Sequence, residues 1–365
     1  MSADPSRKTR TAPVAGQLLR TALRRSPNHI RHVAAVRPRS ASALTARVYE
    51  QTERDFGVIA PPVALHAPAP GPLAASWLML RESLVADGLV PRPAKEAIAA
   101  AVSLSNSCPY CIEVHSVAMY GLAGSADASA LSGDRLADVS DPQARRLAQW
   151  ARTSRQRDAA GADRPFSDDE APEVIGTALI FHYLNRMVNI FLDDSPLPAN
   201  LPAAARSNAG RVLAWHMGTT ADSAHPAGRS LFLLPPAEPA ADLSWAASNP
   251  VILDAFARSV AAIDEAGEQF VPEPVRELVL RVLRDWDGSD PGLGGDWLAD
   301  ALAPLPDAVR PVGRLAMLTA LASYRVDRTV IELCRSRPHE PDDEALISVT
   351  AWASLAAARQ IAAWH

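Results

Sequence analysis

A short proline-containing pattern that occurs twice most constrains how this chain can fold. The segment VPRPAKE at residues 90–96 recurs as VPEPVRE at residues 271–277. Each copy follows an amphipathic stretch that opens with a proline, Pro72 or Pro250. Proline fits the first turn of a helix, and a pattern repeated at long range is typical of a duplicated structural unit. We therefore predict two related helical domains in tandem.

A second pair of matching blocks lies further along the chain. The residues TAL at 177–179 and NRMV at 185–188 recur as TAL at 319–321 and DRTV at 327–330. Because the chain is rich in alanine and arginine, chance repetition is the alternative to duplication.

Apolar residues recur at intervals of three and four, which is the spacing of one helix face. Leu73, Trp77, Leu80 and Leu84 follow this spacing in one segment, whereas strand-like alternation is scarce. The predicted fold class is therefore all-α. Breaks rich in proline, alanine and glycine divide the chain. The predicted parts are a basic N-terminal arm (1–57), a first helical domain (58–224), a linker (225–246) and a degenerate second copy (247–365).

Charge is unevenly distributed along the chain. Residues 1–40 hold nine basic side chains and one acid, Asp4, although the whole chain has a formal net charge of −5. The acidic balance excludes a general nucleic-acid binder, whose surface would be basic. These first residues are interpreted as a solvated arm, with a docking tail for an acidic partner as the alternative.

The N-terminal charges are not followed by the apolar run of a secretory signal. We also expect that no uncharged stretch of 18 residues could span a bilayer. We therefore expect a cytoplasmic protein without membrane contact. The three cysteines are too few for a disulfide framework. Cys334 is expected to be a small core residue. Cys108 and Cys111, three residues apart, are a candidate redox or metal pair.

Four residues form the candidate catalytic group: Glu96, Cys108, Cys111 and His115. Spacings of three and four place the two cysteines and the histidine on one helix face. This helix is predicted to begin at Cys108, with Pro109 at its first position. The unpaired N–H groups and the positive dipole end of a helix start favour thiolate over thiol.

Glu96 lies on the preceding predicted helix. If the chain folds back near residue 106, Glu96 is ten residues before the turn and His115 nine after it. At about 1.5 Å per residue these are about 15 Å and 13.5 Å from the same turn, so the two side chains should meet. A carboxylate raises the basicity of a neighbouring imidazole, and His115 can then exchange a proton with Cys111 one turn away.

The predicted second copy lacks these thiols. Ser289, Gly292 and Asp296 stand at the corresponding positions, in a glycine- and aspartate-rich segment that disfavours a helix. Glu277 corresponds to Glu96. Only the first copy is therefore predicted to carry chemistry.

The sequence from Glu96 through Cys108-Pro109-Tyr110-Cys111 to His115 resembles the signature of the alkylhydroperoxidase D and carboxymuconolactone decarboxylase superfamily. The resemblance extends over about residues 58–195 and, weakly, over 247–345. It implies an all-helical fold that usually oligomerises, and thiol peroxidase activity in members with both cysteines.

By the same resemblance, Cys111 corresponds to the peroxidatic cysteine, Cys108 to the resolving cysteine, and Glu96 with His115 to the proton relay. The expected substrate is hydrogen peroxide or an alkyl hydroperoxide. The expected reductant is a dithiol, which in the family can be a lipoyl-bearing protein. No cofactor or metal is expected. Tyr110 is a departure, because some peroxidase members have a histidine there.

Other interpretations are compatible with these residues. The four side chains could bind zinc, although a structural site usually takes its second pair of ligands from another Cys or His. The two thiols could also be a buried, inert pair. The superfamily includes lactone decarboxylases, which need a general base and no thiol pair, and a non-catalytic redox sensor is a third class. His66 is expected either at the surface or beside the active cavity. Helix packing is the interpretation for His182, Tyr183, Asn185 and Arg186.

Overall fold

The computed structural model describes residues 30–159, 164–197, 202–221, 223–292, 294–336 and 342–365. Within these ranges the regular structure is helical and contains no strand, so the all-α prediction is confirmed. The α-helices are α1 (Ala43–Asp55), α2 (Pro61–Ala64), α3 (Pro70–Leu80), α4 (Arg92–Ser105), α5 (Pro109–Leu122), α6 (Ser125–Ser132), α7 (Pro142–Thr153), α8 (Ala171–Phe191), α9 (Ala203–Ala221), α10 (Pro250–Phe270), α11 (Glu273–Asp285), α12 (Asp296–Leu302), α13 (Arg310–Ala322), α14 (Arg328–Arg335) and α15 (Asp343–Ala362).

Shorter helical turns join these elements. Helix α3 continues into a π-helical turn over Arg81–Val85. The 3-10 turns described are Pro38–Ser40, Leu136–Asp138, Arg157–Ala159, Leu231–Leu233, Ala241–Ala246 and Ser323–Arg325.

Helices α8 and α15 pack against each other at the centre of the molecule. Both are long and apolar enough to cross a membrane by length and composition alone. Their most apolar windows are, however, 94% and 83% buried inside the protein. A helix that is apolar on all sides is expected in the core of a large protein, and these two helices fill that role here.

One continuous hydrophobic core includes residues from both predicted copies. Two helix pairs join the predicted copies: α3 packs against α10, and α8 packs against α15. The buried guanidinium of Arg186 on α8 donates a hydrogen bond from Nε to the carbonyl oxygen of Ala320 on α13, at 2.9 Å. The second matched block differs in local structure, because residues 177–188 lie in one helix while residues 319–330 include a break between α13 and α14. Duplication itself stays a prediction.

The N-terminal arm predicted over residues 1–57 is packed in the part that the structure describes. Helix α1 buries Val48 and Thr52. Gln51 accepts a hydrogen bond from Trp77 Nε1 at 2.9 Å, and Asp55 pairs with buried Arg81 at 2.8 Å. Helix α1, which follows the 40 residues predicted to be solvated, therefore has its own buried face, and the domain boundary at residue 57 stays a prediction. Residues 1–29 lie outside the described residues.

The predicted linker over residues 225–246 is also packed against the first half. The buried carboxylate of Glu82 accepts hydrogen bonds from the backbone N–H groups of Gly228 at 2.7 Å and Ser230 at 3.2 Å. A buried carboxylate must be paired or hydrogen-bonded, and these N–H groups serve that purpose. This part of the chain is therefore part of the folded body.

Removing residues 247–365 tests how far the first half depends on the second. The truncated chain would expose the faces of α3 and α8 that α10 and α15 cover, and large exposed apolar patches lead to association. We expect aggregation or forced dimerisation, measured by size-exclusion chromatography, together with binding of a hydrophobic dye. A soluble, monomeric fragment of residues 1–246 with native helix content would show that the halves are independent.

Candidate active site

The site is built on a tight helical hairpin between α4 and α5. The N–H of Cys108 donates to the carbonyl oxygen of Ser103 at 3.0 Å, and the N–H of Ser107 donates to that of Leu104 at 3.3 Å. These two bonds form a Schellman motif, which ends a helix in a left-handed residue. Ser107 occupies that position with φ of 50°. The turn at residue 106, assumed in the sequence analysis, is present.

This hairpin brings Glu96 and His115 together, as the helical spacing predicts. Glu96 Oε2 lies 2.6 Å from His115 Nδ1, and Glu96 Oε1 accepts a hydrogen bond from Arg92 Nε at 2.7 Å. Glu96 is fully buried. Burial would raise the pKa of this carboxyl, but Arg92 and His115 outweigh it and lower the pKa to about 2. Glu96 is therefore a buried, permanently ionised acceptor.

The orientation of the His115 ring is fixed from two sides. Nδ1 contacts Glu96, which leaves Nε2 for proton transfer. The ring of Phe181 on α8 packs edge-to-face against the imidazole, with 4.5 Å between the ring centroids. Aromatic pairs prefer this geometry, so Phe181 holds the ring in the plane that Glu96 selects.

The two cysteines occupy different environments at the start of α5. Both are free thiols; Cys108 is the N-cap residue and is fully buried, whereas Cys111 is 3% exposed. Burial, together with the neighbouring Cys111, holds the pKa of the Cys108 thiol well above its usual range. The prediction that the helix start favours thiolate is therefore wrong for Cys108, because removal of the sulfur from water outweighs the N–H groups around it.

Cys111 and His115 both open onto one cavity of about 130 Å³. Cys108 is absent from its walls, so a molecule in the cavity meets Cys111. The walls are otherwise mainly apolar and come from several separate parts of the chain. They are Phe56, Val58, Ile59, Ala60, Pro61, Pro62, Leu80, Leu84, Tyr110, Val114, Phe181, Leu184, Pro196, Leu197, Ala209 and Met217.

Helix α9 closes one side of this cavity through Ala209 and Met217. It approaches α5 closely because both helices have a glycine at the contact. A β-carbon on Gly121 would lie 2.3 Å from the carbonyl oxygen of Ala214, and one on Gly218 would lie 3.1 Å from that of Gly121. A side chain at either position would push the helices apart and widen the cavity.

The structure places His66 in neither of its two expected positions. It is fully buried, and it is not a wall residue of the cavity. Its Nδ1 lies 3.2 Å from the carbonyl oxygen of Val63, and its Nε2 lies 2.8 Å from the hydroxyl of Tyr183. A neutral imidazole satisfies both contacts. Burial lowers the pKa of His66 to about 4.

Cys334 is 99% buried on α14, which confirms its prediction as a core residue. His182, Asn185 and Arg186 are also buried on α8. Helix packing describes Arg186, whereas Asn185 also joins α8 to the hairpin, through Ser103 at 3.1 Å and Asn106 at 3.0 Å. Within the described ranges, no three His, Cys, Asp or Glu side chains converge as metal ligands, so the arrangement does not favour the zinc interpretation.

Sequence reasoning missed Arg92, Phe181 and Asn185. The repeated pattern did contain a signal for Arg92. Both copies keep the glutamate, but the position of Arg92 holds the acid Glu273 in the second copy. An acid there cannot pair with a buried carboxylate. Phe181 and Asn185 come from a helix far away in sequence, and no local pattern links them to the cysteines.

The residues that correspond to the site in the second half do not form a similar group. Glu277 is exposed on α11 and lines a separate, polar cavity. Ser289 and Gly292 lie in a loop, and Asp296 begins α12. The described residues of this segment before Asp296 are non-helical, as its glycine content predicts.

Comparison with known proteins agrees with this geometry. Residues 72–153, which contain the hairpin and all four candidate residues, match the carboxymuconolactone decarboxylase family. The chain is also 35% identical over 335 residues to a Mycobacterium tuberculosis protein named alkyl hydroperoxide reductase Rv2159c, covering 92% of this chain and 94% of that relative. The chain therefore belongs to the alkylhydroperoxidase D and carboxymuconolactone decarboxylase superfamily.

The pH dependence of stability tests whether the imidazole of His66 is buried and neutral. Its pKa is about 4 in the folded protein and about 6.5 when unfolded, so only the unfolded chain takes up a proton as the pH falls through this range. Stability from this group is full above pH 6.5 and declines below it. Between pH 7 and pH 5 the loss should be about 2 kcal/mol.

The measurement is urea unfolding of wild type and His66→Gln at both pH values. Other titrating groups cancel in the comparison. The variant should be less destabilised by acid than wild type by that amount; equal losses in both proteins would contradict a neutral, buried His66.

Proposed function

We propose that this protein is a thiol-dependent peroxidase that reduces hydroperoxides through Cys111 and Cys108. One observation carries the proposal. Cys111 and His115 open onto the same cavity, and Glu96 Oε2 lies 2.6 Å from His115 Nδ1. A nucleophile, a proton carrier and an ionised orienting group are thus arranged in series. The 35% identical relative is named alkyl hydroperoxide reductase, which supports the same reaction class.

In the first step, the Cys111 thiolate attacks one oxygen of the hydroperoxide and the O–O bond breaks. Cys111 becomes a sulfenic acid, and the departing alkoxide or hydroxide takes a proton from His115. The negative charge of Glu96 stabilises the protonated imidazole before that transfer. The apolar walls suit an organic hydroperoxide, since they bury a hydrocarbon tail favourably.

In the second step, the sulfur of Cys108 attacks the sulfur of the sulfenic acid. The S–O bond breaks, water leaves and a Cys108–Cys111 disulfide forms. An external dithiol then attacks Cys111, because Cys111 borders the cavity and Cys108 does not. A lipoyl group on a partner protein, in the cytoplasm, is the reductant of the right chemistry.

The oxidation chemistry is tested first by mass. One equivalent of peroxide should lower the intact mass of the reduced protein by about 2 Da, because a sulfenic acid that condenses with a thiol loses water. Cys108→Ser should instead trap a dimedone-reactive sulfenic acid at Cys111. Labelling at Cys108 in Cys111→Ser, with none in the reverse variant, would invert the two roles.

Turnover is tested by peroxide consumption with dihydrolipoamide as the reductant. Cys111→Ser should abolish it. A lyase would need a base and no thiol, and a redox sensor would react with one equivalent only. Sustained consumption that survives Cys111→Ser, or consumption that stops after one equivalent, would therefore contradict the proposal.

Glu96→Gln should slow peroxide reduction by about 10- to 100-fold, the scale expected for loss of a residue that orients an acid–base group. Glu277→Gln is the matched control, because it makes the same change at the corresponding position of the second half. The control should retain wild-type turnover. An unchanged rate in Glu96→Gln would remove Glu96 from the relay.

A further inference from the structure

The cavity at the candidate site has a polar wall residue that the proposed reaction leaves unused. Cys111 and His115 both take part in that reaction. Tyr110 is 6% exposed and lines the same cavity. The other described wall residues are hydrophobic. A molecule with polar atoms therefore has few side chains in this cavity with which it can form a hydrogen bond.

The hydroxyl of Tyr110 has no hydrogen-bond partner among the described residues. It is also absent from the unpaired polar atoms that are sealed from solvent, so a small molecule can reach it. The other two buried tyrosines are paired. Tyr49 donates to the carbonyl oxygen of Val36 at 2.9 Å, and the Tyr183 hydroxyl lies 2.8 Å from His66 Nε2. Buried tyrosine hydroxyls usually have a partner, so the hydroxyl of Tyr110 indicates a ligand.

Tyr110 keeps its proton and can donate it to a hydrogen bond. Burial and the neighbouring thiol of Cys111 raise the pKa of the Tyr110 phenol above its usual range. A neutral phenol has one hydrogen to donate. Tyr110 and Cys111 are consecutive residues in the first turn of α5. The donor and the sulfur of the proposed reaction are therefore presented to the cavity by the same helical turn.

We propose that Tyr110 is a catalytic residue that donates a hydrogen bond to the hydroperoxide oxygen that leaves when the O–O bond breaks. The inference rests on the proposed function and adds a substrate contact to it. His115 supplies a proton to the leaving oxygen, whereas Tyr110 supplies a hydrogen bond and keeps its proton. Among the described wall residues, these two provide the side-chain donors for that oxygen.

The chemistry of the peroxide step explains why the leaving oxygen needs this donor. The Cys111 thiolate attacks the terminal oxygen, an S–O bond forms, and that oxygen keeps its hydrogen in the sulfenic acid. The O–O bond breaks, and its electron pair goes to the second oxygen, which takes a proton from His115. Negative charge therefore develops on the second oxygen. A hydrogen bond to a charged oxygen is the stronger one, so Tyr110 stabilises the transition state more than the bound substrate.

The test compares Tyr110→Phe with wild type, because phenylalanine keeps the ring and removes only the hydroxyl. Reduced protein is mixed rapidly with tert-butyl hydroperoxide, and sulfenic acid at Cys111 is trapped with dimedone at successive times. The rate constant of its formation should fall by about 10- to 100-fold, the size of a hydrogen bond to a charged group. The later condensation with Cys108 should keep its wild-type rate, because the oxygen that Tyr110 contacts has by then left as alcohol.

Tyr183→Phe is the matched control. It makes the same change at a buried tyrosine of α8 that contacts His66 and does not line the cavity. Tyr183→Phe should lower the free energy of unfolding, because it leaves a buried ring nitrogen without its partner, but should keep the wild-type peroxide rate. Tyr110→Phe should show the reverse pattern, since its hydroxyl makes no hydrogen bond within the described protein.

Two kinetic results would overturn the proposal. One is equal slowing in Tyr110→Phe and Tyr183→Phe, which would indicate a general packing effect. The other is a wild-type rate in folded Tyr110→Phe. Failure of Tyr110→Phe to fold would contradict the proposal as well, because it would show that the hydroxyl serves the fold.

A binding measurement separates this inference from the proposed function. Benzyl alcohol and toluene have similar shapes and differ by one hydroxyl, whose oxygen takes the place of the leaving oxygen after protonation. An apolar cavity of about 150 Å³ can bind benzene, and the volume here is about 130 Å³. In an NMR titration, Tyr110→Phe should weaken binding of benzyl alcohol by about 3- to 10-fold, the size of a neutral hydrogen bond, and leave binding of toluene unchanged.

This binding result would support hydrogen bonding by Tyr110 to an oxygen in the cavity even if wild type consumes no peroxide. In that case the proposed function would fail and the donor role of Tyr110 would stand. Equal losses for benzyl alcohol and toluene, or no loss for benzyl alcohol, would overturn the inference.

Discussion

The site depends on one buried carboxylate. Glu96 is removed from water and still ionised, because Arg92 and His115 hold its two oxygens. An isolated charge in this position would be strongly destabilising, so the hairpin has to close with His115 opposite Glu96. That register places Cys111 one turn from the imidazole. The hydrogen bond between Glu96 and His115 thus helps the fold to bury a charge and also orients the His115 ring.

Similar buried groups anchor the rest of the first half. Lys95, next to Glu96, pairs with Glu173 at 2.6 Å. Gly88 leaves room for the Glu173 carboxylate, because a β-carbon on Gly88 would collide with it. Arg81 pairs with Asp55 and fixes α1. The second half contributes mainly apolar helix faces, α10 and α15, to the common core. The candidate site and the most deeply buried ion pairs thus lie in the first half, and the second half covers them with apolar helix faces.

Much of the candidate site could be predicted from local sequence. The spacing from Glu96 to His115 predicted their contact, because both residues lie on regular helices joined by a short turn and the helical rise fixes where they meet. The state of Cys108 could not be predicted in the same way. Its position at a helix start favours thiolate, but burial opposes this. Burial depends on tertiary packing, in which α8, about 80 residues away in sequence, contacts both helices of the hairpin.

The sequence by itself determined the helical class, the hairpin and the four candidate residues of the site, since each depends on contacts within a few helical turns. Only the tertiary structure decided which thiol borders the cavity, that α1 and the segment after residue 225 pack into the body, and that Asn185 hydrogen-bonds to the hairpin. These features depend on burial, which is a property of the whole packed chain. The spacing of residues along a helix determines which side chains can contact each other, whereas tertiary packing determines how exposed each side chain is to water.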